Sequence, residues 1–170
     1  MEAIFTVGHS TRSAEEFVAL LQAHRIQLLV DVRTVPRSRH NPQFNRDTLP
    51  ETLRRAGIEY LHLAELGGLR KARADSTNTG WRNLSFRGYA DYMATPEFEK
   101  GLVRLMNAAG TRRAAVMCAE AVPWRCHRSL IGDALVARGA EVFELPSVTR
   151  AQPHRMTPFA RVEGTRVSYP

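Results

Sequence analysis

The sequence concentrates nucleophilic, acid–base and cationic side chains in one short segment. These side chains are Cys118, Glu120, Arg125, Cys126, His127 and Arg128. The apolar run before Cys118 predicts a buried strand, and the residues from Cys126 onward predict a helix. A loop therefore joins the end of a strand to the start of a helix. A thiol placed near helix N–H groups and arginines has a lowered pKa, which makes it a nucleophile at neutral pH.

This arrangement assigns a chemical role to each side chain. Cys118 is the candidate nucleophile, with Glu120 or His127 as its acid–base partner. Arg125 and Arg128 are candidate ligands for an anionic substrate, because guanidinium groups match phosphate and carboxylate geometry. The layout resembles the cysteine loops of sulfurtransferases and cysteine phosphatases. It departs from the phosphatase loop in having six residues rather than five between the cysteine and Arg125.

Three other interpretations of the cysteines stay open. Cys118 alone is typical of an inert, buried strand residue. Cys118, Cys126 and His127, with His9, are an alternative zinc site, although the gap between the cysteines is longer than usual. Cys118 and Cys126 are also a candidate redox pair, one attacking and one resolving. The leading hypothesis includes no metal and no cofactor.

Further candidates follow the other predicted strands. His9 is a candidate acid–base group or anion ligand after the first strand. The candidate substrate-binding residues are Ser10, Asp31, Arg33, Arg37, Arg39, Gly67, Gly68, Tyr89, Arg125, Cys126 and Arg128. Asp31 and Arg33 are alternatively a structural ion pair. Tyr89 is a candidate for stacking on a base, and its helical position also suits the core.

Short β-rich runs alternate with amphipathic stretches, which favours an α/β fold. Ser13 and Glu16 form a capping box that opens the first helix. The predicted strands are 3–7, 27–32, 58–63, 113–118 and 141–145. The predicted helices are 13–24, one capped by Asp47 and ending at Gly57, 88–94, 95–110 and 126–138.

The alternation predicts an open, mostly parallel five-stranded sheet with helices on both faces. Residues 1–146 form a single α/β domain in this prediction. The basic, proline-rich tail 147–170 is expected to pack on the same domain as irregular structure. The 170 residues and 44% apolar content suit one globular domain.

Composition restricts the partners and the compartment. The net charge is +7, and arginine supplies nearly all of the 24 basic residues. No apolar run approaches the ~20 residues of a membrane helix, and the N-terminus does not read as a signal peptide. With only two cysteines, a disulfide scaffold is not expected, so the cytoplasm is the expected compartment.

The basic residues cluster in the loops that leave the predicted strands. Residues 33–46 carry four arginines and no acid, residues 67–87 have a net charge of +4, and the tail 146–170 has +3. The rest of the chain is therefore net acidic. Ligands of open α/β sheets bind where these loops meet, at the carboxyl ends of the strands. An anionic small molecule or a nucleic acid is the expected partner.

Several motifs together resemble a known family. They are Thr6-Val7-Gly8-His9-Ser10-Thr11, Asp31-Val32-Arg33 with Pro36 and Ser38, Leu66-Gly67-Gly68, Phe86 to Met93, and Cys118-Ala119-Glu120 through Pro123 to Cys126-His127-Arg128. The chain resembles the domain of unknown function 488 family over residues 4–146. Some members of that family are loosely labelled as DNA repair proteins. The resemblance assigns no roles, and it implies that the motif positions of the family are occupied by His9, Asp31, Arg33, Cys118, Glu120, Cys126, His127 and Arg128.

The functional hypothesis is an enzyme acting on an anionic substrate, a nucleotide or nucleic acid, at the carboxyl edge of the sheet. Its reaction class is a cysteine-dependent transfer or hydrolysis. A non-catalytic nucleic-acid-binding module with arginine-rich loops is the alternative from another class. A small metal-binding or redox protein is the third.

Overall fold

The computed structural model describes residues 3–170. Six strands form one sheet in the order β3-β2-β4-β1-β5-β6. The strands are β1 (Ile4–Gly8), β2 (Leu28–Asp31), β3 (Glu59–His62), β4 (Ala114–Cys118), β5 (Val142–Ser147) and β6 (Arg150–Pro153). The first five are parallel, and β6 pairs with β5 in the antiparallel direction. The predicted open, mostly parallel α/β sheet is therefore confirmed, with six strands instead of five.

Five α-helices connect the strands. They are α1 (Ala14–Ala23), α2 (Leu49–Arg55), α3 (Leu84–Tyr92), α4 (Pro96–Thr111) and α5 (Arg128–Ala137). The predicted capping box opens α1, since the Ser13 hydroxyl accepts from the Glu16 N–H and Glu16 accepts from the Ser13 N–H. Short 3₁₀ turns cover Pro42–Phe44, Ala64–Leu66 and Pro123–Arg125.

Two apolar cores cover the two faces of the sheet, because successive strand residues point to opposite sides. Phe5 and Val7 pack with residues of α1 and α2 on one face. Ile4 and Cys118 pack with residues of α3, α4 and α5 on the other. Helices therefore lie on both faces, as predicted.

Three helix starts differ from the prediction. The helix predicted to begin at Gly88 begins at Leu84, because the Asn83 side chain accepts from the N–H groups of Ser85 and Phe86. The N-cap residue of α2 is Thr48 and not the predicted Asp47, and the Thr48 side chain makes no capping hydrogen bond. The α5 helix begins at Arg128, two residues after the predicted start.

The tail is more regular than predicted. It contains β6 and a hairpin of β7 (Arg161–Glu163) and β8 (Arg166–Ser168). Tyr169 is fully buried and donates from its hydroxyl to Asp133 Oδ2 over 2.8 Å. The exposed β6 residues lack the alternating apolar pattern that would have predicted a strand. Within residues 3–170, helix length and hydropathy never reach what a membrane crossing requires.

Candidate functional site

A cavity of about 750 Å³ opens at the carboxyl edge of the sheet, beside β1 and β4. The chain leaves β1 toward α1 on one face and leaves β4 toward α5 on the other, which makes this the crevice where open α/β sheets bind ligands. The lining includes the predicted residues His9, Ser10, Arg33, Arg37, Gly68, Cys118, Glu120, Arg125, Cys126 and His127. Asp31, Arg39, Gly67, Tyr89 and Arg128 lie outside its walls.

Cys118 ends β4 as a reduced, 1% exposed thiol at the cavity wall. Burial raises the pKa of Cys118. The Cys126 side chain and the positive charge of Arg128 lower it by a larger amount, so the net pKa shift is downward. Its Sγ lies 3.7 Å from the Glu120 carbonyl oxygen. The cavity therefore holds a thiol with an increased tendency to ionise.

Cys126, rather than Cys118, receives the first N–H of α5. The Arg128 N–H donates to Cys126 Sγ over 3.4 Å, and His127 Nδ1 lies 3.4 Å from the same sulfur. Burial and the neighbouring Cys118 raise the pKa of Cys126 well above its usual value. Cys126 thus stays protonated and can donate a hydrogen bond, while Cys118 carries the developing negative charge.

His127 is held by both ring nitrogens. Its Nε2 lies 2.9 Å from the Val32 carbonyl oxygen, which requires Nε2 to be the donor and leaves Nδ1 as an acceptor facing Cys126. Burial lowers the pKa of His127 to about 4. A neutral imidazole beside Cys126 is therefore the resting form.

Gly68 and Tyr89 fix the His127 ring in place. A Cβ on Gly68 would lie 2.6 Å from His127 Nδ1, so only glycine leaves room for the ring. The Tyr89 ring centroid lies 4.9 Å from that of His127, and the Tyr89 hydroxyl donates to the Leu66 carbonyl. Tyr89 is fully buried, so the base-stacking prediction for it is corrected to a positioning role.

Arg128 is an internal support and not the predicted anion ligand. Its side chain is fully buried and pairs with Glu144 at 2.9 Å. It also donates to the carbonyls of Glu120 and Ala121, at 3.2 and 3.3 Å. Gly8 permits this approach, because a Cβ there would lie 1.6 Å from the Glu120 oxygen. Arg128 therefore shapes the Cys118 loop and adds positive potential behind the thiol.

Arg33 lines the cavity, but its positive charge is already neutralised by a carboxylate. Its guanidinium pairs with Asp31 through two hydrogen bonds of 2.9 and 2.7 Å and donates to the Phe44 carbonyl. Asp31 is fully buried, so its role at the site is to hold Arg33 and not to contact a ligand. Arg33 also contacts His9 Nε2 at 3.5 Å. The Asp31–Arg33 pair therefore serves to orient His9, and its neutralised charge is not available to bind an anion.

His9 is committed to contacts of its own. Its Nδ1 lies 2.8 Å from the Ser10 carbonyl oxygen and its ring stacks on Phe44 at 4.3 Å. Burial lowers its pKa to about 4, with Arg33 contributing in the same direction. His9 is a neutral wall group, and Glu120 is left as the exposed acid–base candidate at the cavity.

Arg37 and Arg125 are the cationic groups that remain available. Both are exposed, both line the cavity, and neither pairs with a carboxylate within residues 3–170. Arg39 is exposed on the same loop as Arg37 and lines a smaller adjoining depression. An anion entering the cavity therefore meets Arg37 and Arg125.

The zinc alternative finds no support in this geometry. Across the described part of the chain, no three His, Cys, Asp or Glu side chains are grouped so as to hold a metal ion. His127 already uses Nε2 on Val32, and only Nδ1 faces the cysteines.

Two contributors escaped the sequence reasoning. Thr34 lines the cavity, and its hydroxyl accepts from the Leu69 N–H to hold the Gly67-Gly68 loop against it. Glu144 neutralises Arg128 from β5. A single carboxylate within the apolar run Val142–Leu145 was the signal that a buried cation lies opposite.

Comparison with known proteins agrees with the motifs. The family model described as Domain of unknown function DUF488 matches residues 13–135. The chain belongs to this family. The matched stretch contains Asp31, Arg33 and the whole Cys118–Arg128 segment, and ends before Glu144. No curated protein and no solved structure matches the chain.

Proposed function

We propose that the protein is an enzyme in which Cys118 attacks an anionic substrate bound at the carboxyl edge of the sheet. The observation that carries the proposal is the meeting of an ionisable thiol and two unpaired arginines, Arg37 and Arg125, in one 750 Å³ cavity. A cavity of this size accommodates a nucleotide-sized molecule. Thiolate nucleophiles with nearby cationic groups are typical of transfer and hydrolysis enzymes.

The first step forms a bond from Cys118 Sγ to the electrophilic phosphorus, sulfur or carbon of the substrate. Glu120 accepts the Cys118 proton before the attack, and the leaving group departs with the electron pair of the broken bond and takes a proton from Glu120 or water. Cys126 donates its S–H to the Cys118 thiolate before the attack, and the Arg128 N–H donates to the Cys126 sulfur. Transfer of the group to water or to a second acceptor restores the thiolate.

Alkylation with matched charged and neutral reagents tests the proposal. We expect Cys118, located by peptide mass mapping, to react with iodoacetate in preference to iodoacetamide, relative to N-acetylcysteine. Arg37→Ala and Arg125→Ala should each reduce that preference, because they remove the cations that attract the carboxylate. Arg150→Ala, an exposed arginine on β6, is the matched control. Equal reactivity toward both reagents would contradict the proposal.

The same protein can report the class of reaction. Thiosulfate would leave one additional sulfur on Cys118 and release sulfite. The substrate p-nitrophenyl phosphate would leave a phosphoryl group and release nitrophenolate. Intact-protein mass spectrometry with Cys118→Ser as the blank decides between the two.

Nucleic-acid binding is a second candidate, favoured by Arg37 and Arg39. Both are exposed on the loop after β2 and extend the basic surface beyond the cavity. Binding that is retained in Cys118→Ser would support a module with no cysteine chemistry.

A further inference from the structure

A second cavity lies across the Cys118 loop, and we propose that it binds the nucleobase of a nucleotide whose phosphate occupies the cationic cavity. The inference rests on the proposed function, since it names the substrate class of the same site. This second cavity, here the aromatic cavity, has a volume of about 800 Å³. Its walls include the tail segment 152–159, residues 121–124 and Trp81.

The aromatic cavity presents flat apolar surfaces to solvent. Trp124 is 68% exposed and Phe159 is 41% exposed, although both are large hydrophobic side chains. Trp81 lies between the tail and the core, with its ring centroid 4.9 Å from that of Phe159. Exposed aromatic faces at a cavity are the usual platforms on which bases stack.

A buried donor at this cavity lacks an acceptor. The indole Nε1 of Trp81 is buried, and no hydrogen-bond partner for it exists among residues 3–170. An unpaired buried donor costs free energy, and a ligand carrying an acceptor recovers that cost only if the Trp81 ring turns its N–H toward the cavity. The ring nitrogens and carbonyl oxygens of a nucleobase are acceptors of this kind.

The charges of the two cavities orient the nucleotide. The aromatic cavity has one carboxylate, Glu144, which Arg128 already engages, and one exposed arginine, Arg155. The neighbouring cavity has two unpaired arginines, Arg37 and Arg125. Because the positive charge is greater there, the phosphate binds in the cationic cavity and the uncharged base binds in the aromatic one.

The two cavities are near enough for one molecule to use both. Ala121 lines both of them, and the turn after it places Trp124 on one cavity and Arg125 on the other. Residues 119–121 between them are exposed and form a ridge. A ribose crossing this ridge would join a base on one side to a phosphate on the other. The phosphate would then lie on the side of Cys118.

Protection of Cys118 from iodoacetate tests the proposal in the full-length protein. The four common ribonucleoside 5′-monophosphates are compared with inorganic phosphate as protecting ligands. We expect at least one nucleotide to protect at a concentration about ten-fold lower than phosphate, because base stacking adds affinity. Trp124→Ala should remove that advantage and leave protection by phosphate unchanged. Val103→Ala, an exposed apolar residue on α4, is the matched control.

Tryptophan fluorescence supplies a readout that does not use the cysteine. Trp81 and Trp124 are the two tryptophans of the chain, so nucleotides, but not phosphate, should change the emission. Equal protection by nucleotides and phosphate with no change in emission would overturn the base site and leave the proposed function standing. An emission change produced by a proline-rich peptide and not by nucleotides would also overturn it. Failure of the proposed function would be seen in a separate result, namely that Cys118 shows no preference for iodoacetate over iodoacetamide.

Discussion

Two neighbouring thiols in this site have opposite tendencies to ionise. Cys126 receives the first N–H of α5 and faces His127, and it remains protonated because its pKa is raised. Cys118 has a lowered pKa because Cys126 and Arg128 stabilise its thiolate. In the proposed mechanism, Cys118 is therefore the nucleophile and Cys126 is its hydrogen-bond donor.

Cys126→Ala should therefore raise the pKa of Cys118. The substitution removes the donor to the thiolate, and we expect the midpoint of the alkylation–pH profile to rise. Cys126→Ser keeps a donor and should stay closer to the wild-type midpoint. An unchanged midpoint in Cys126→Ala would show that Cys126 does not stabilise the thiolate.

Glu144→Gln should destabilise the fold, because it leaves the fully buried Arg128 charge without its counter-ion. Breaking a buried pair in this way costs about 3 kcal/mol. Glu51→Gln is the control, since its pair with Arg54 lies at the surface, where solvent screens it, and should contribute little. Urea unfolding measures both, and equal free-energy losses would contradict the assignment of Arg128 as a buried support.

At the level of elements, the tail is held to α5 by one buried carboxylate. Asp133 accepts from the Tyr169 hydroxyl, from the Thr157 N–H and from His154 Nε2. Burial and Asp133 raise the pKa of Tyr169, so the phenol stays a donor. These contacts fix the segment that forms one wall of the aromatic cavity.

Tyr169→Phe should weaken this anchor. Loss of a hydrogen bond to a buried carboxylate costs about 2 kcal/mol of unfolding free energy. Tyr92→Phe removes a bond to the neutral Glu65 carbonyl and should cost about 1 kcal/mol. Faster amide hydrogen exchange confined to residues 150–169 in Tyr169→Phe would show local release of the tail, and unchanged exchange there would contradict the anchor.

The helices and strands that could be predicted are those whose sequence patterns involve residues close together in the chain. The Ser13 capping box and the apolar strand runs depend on neighbours in the chain, so α1 and the parallel strands were predictable. The burial of Arg128 depends on Glu144, which lies on another strand, and β6 pairs through backbone groups despite exposed side chains. Contacts of that kind leave little trace in the local pattern, which is why Arg128 was predicted to face a ligand and is instead buried against Glu144.

At the scale of the whole molecule, the exposed arginines of the loop after β2 predict salt-dependent binding of nucleic acid. Arg37→Ala with Arg39→Ala should lower affinity for single-stranded DNA and reduce the slope of log K against log salt by about 1.4, since each phosphate contact on a single strand contributes about 0.7. Arg150→Ala with Arg161→Ala, on exposed tail strands, is the control pair. Fluorescence anisotropy across a salt series measures the slopes, and identical slopes would place the DNA contact elsewhere.

The two neutral histidines of the site make folding stability depend on pH. The pKa values of His9 and His127 are about 4 in the folded protein, against about 6.5 in an unfolded chain. Between these values the unfolded chain binds more protons, so stability is fully present above pH 6.5 and is lost as the pH falls toward 4. Each histidine contributes up to about 3 kcal/mol to that loss.

His127→Gln isolates one of these contributions, because a glutamine amide can still donate to the Val32 carbonyl and does not titrate in this range. Urea unfolding at pH 7 and pH 5 should show a smaller acid-induced loss of stability in His127→Gln than in the wild type. His40→Gln, at an exposed position, should retain the full loss. An unchanged loss in His127→Gln would mean that the imidazole is already charged in the folded site, and the assignment of a neutral His127 would then be wrong.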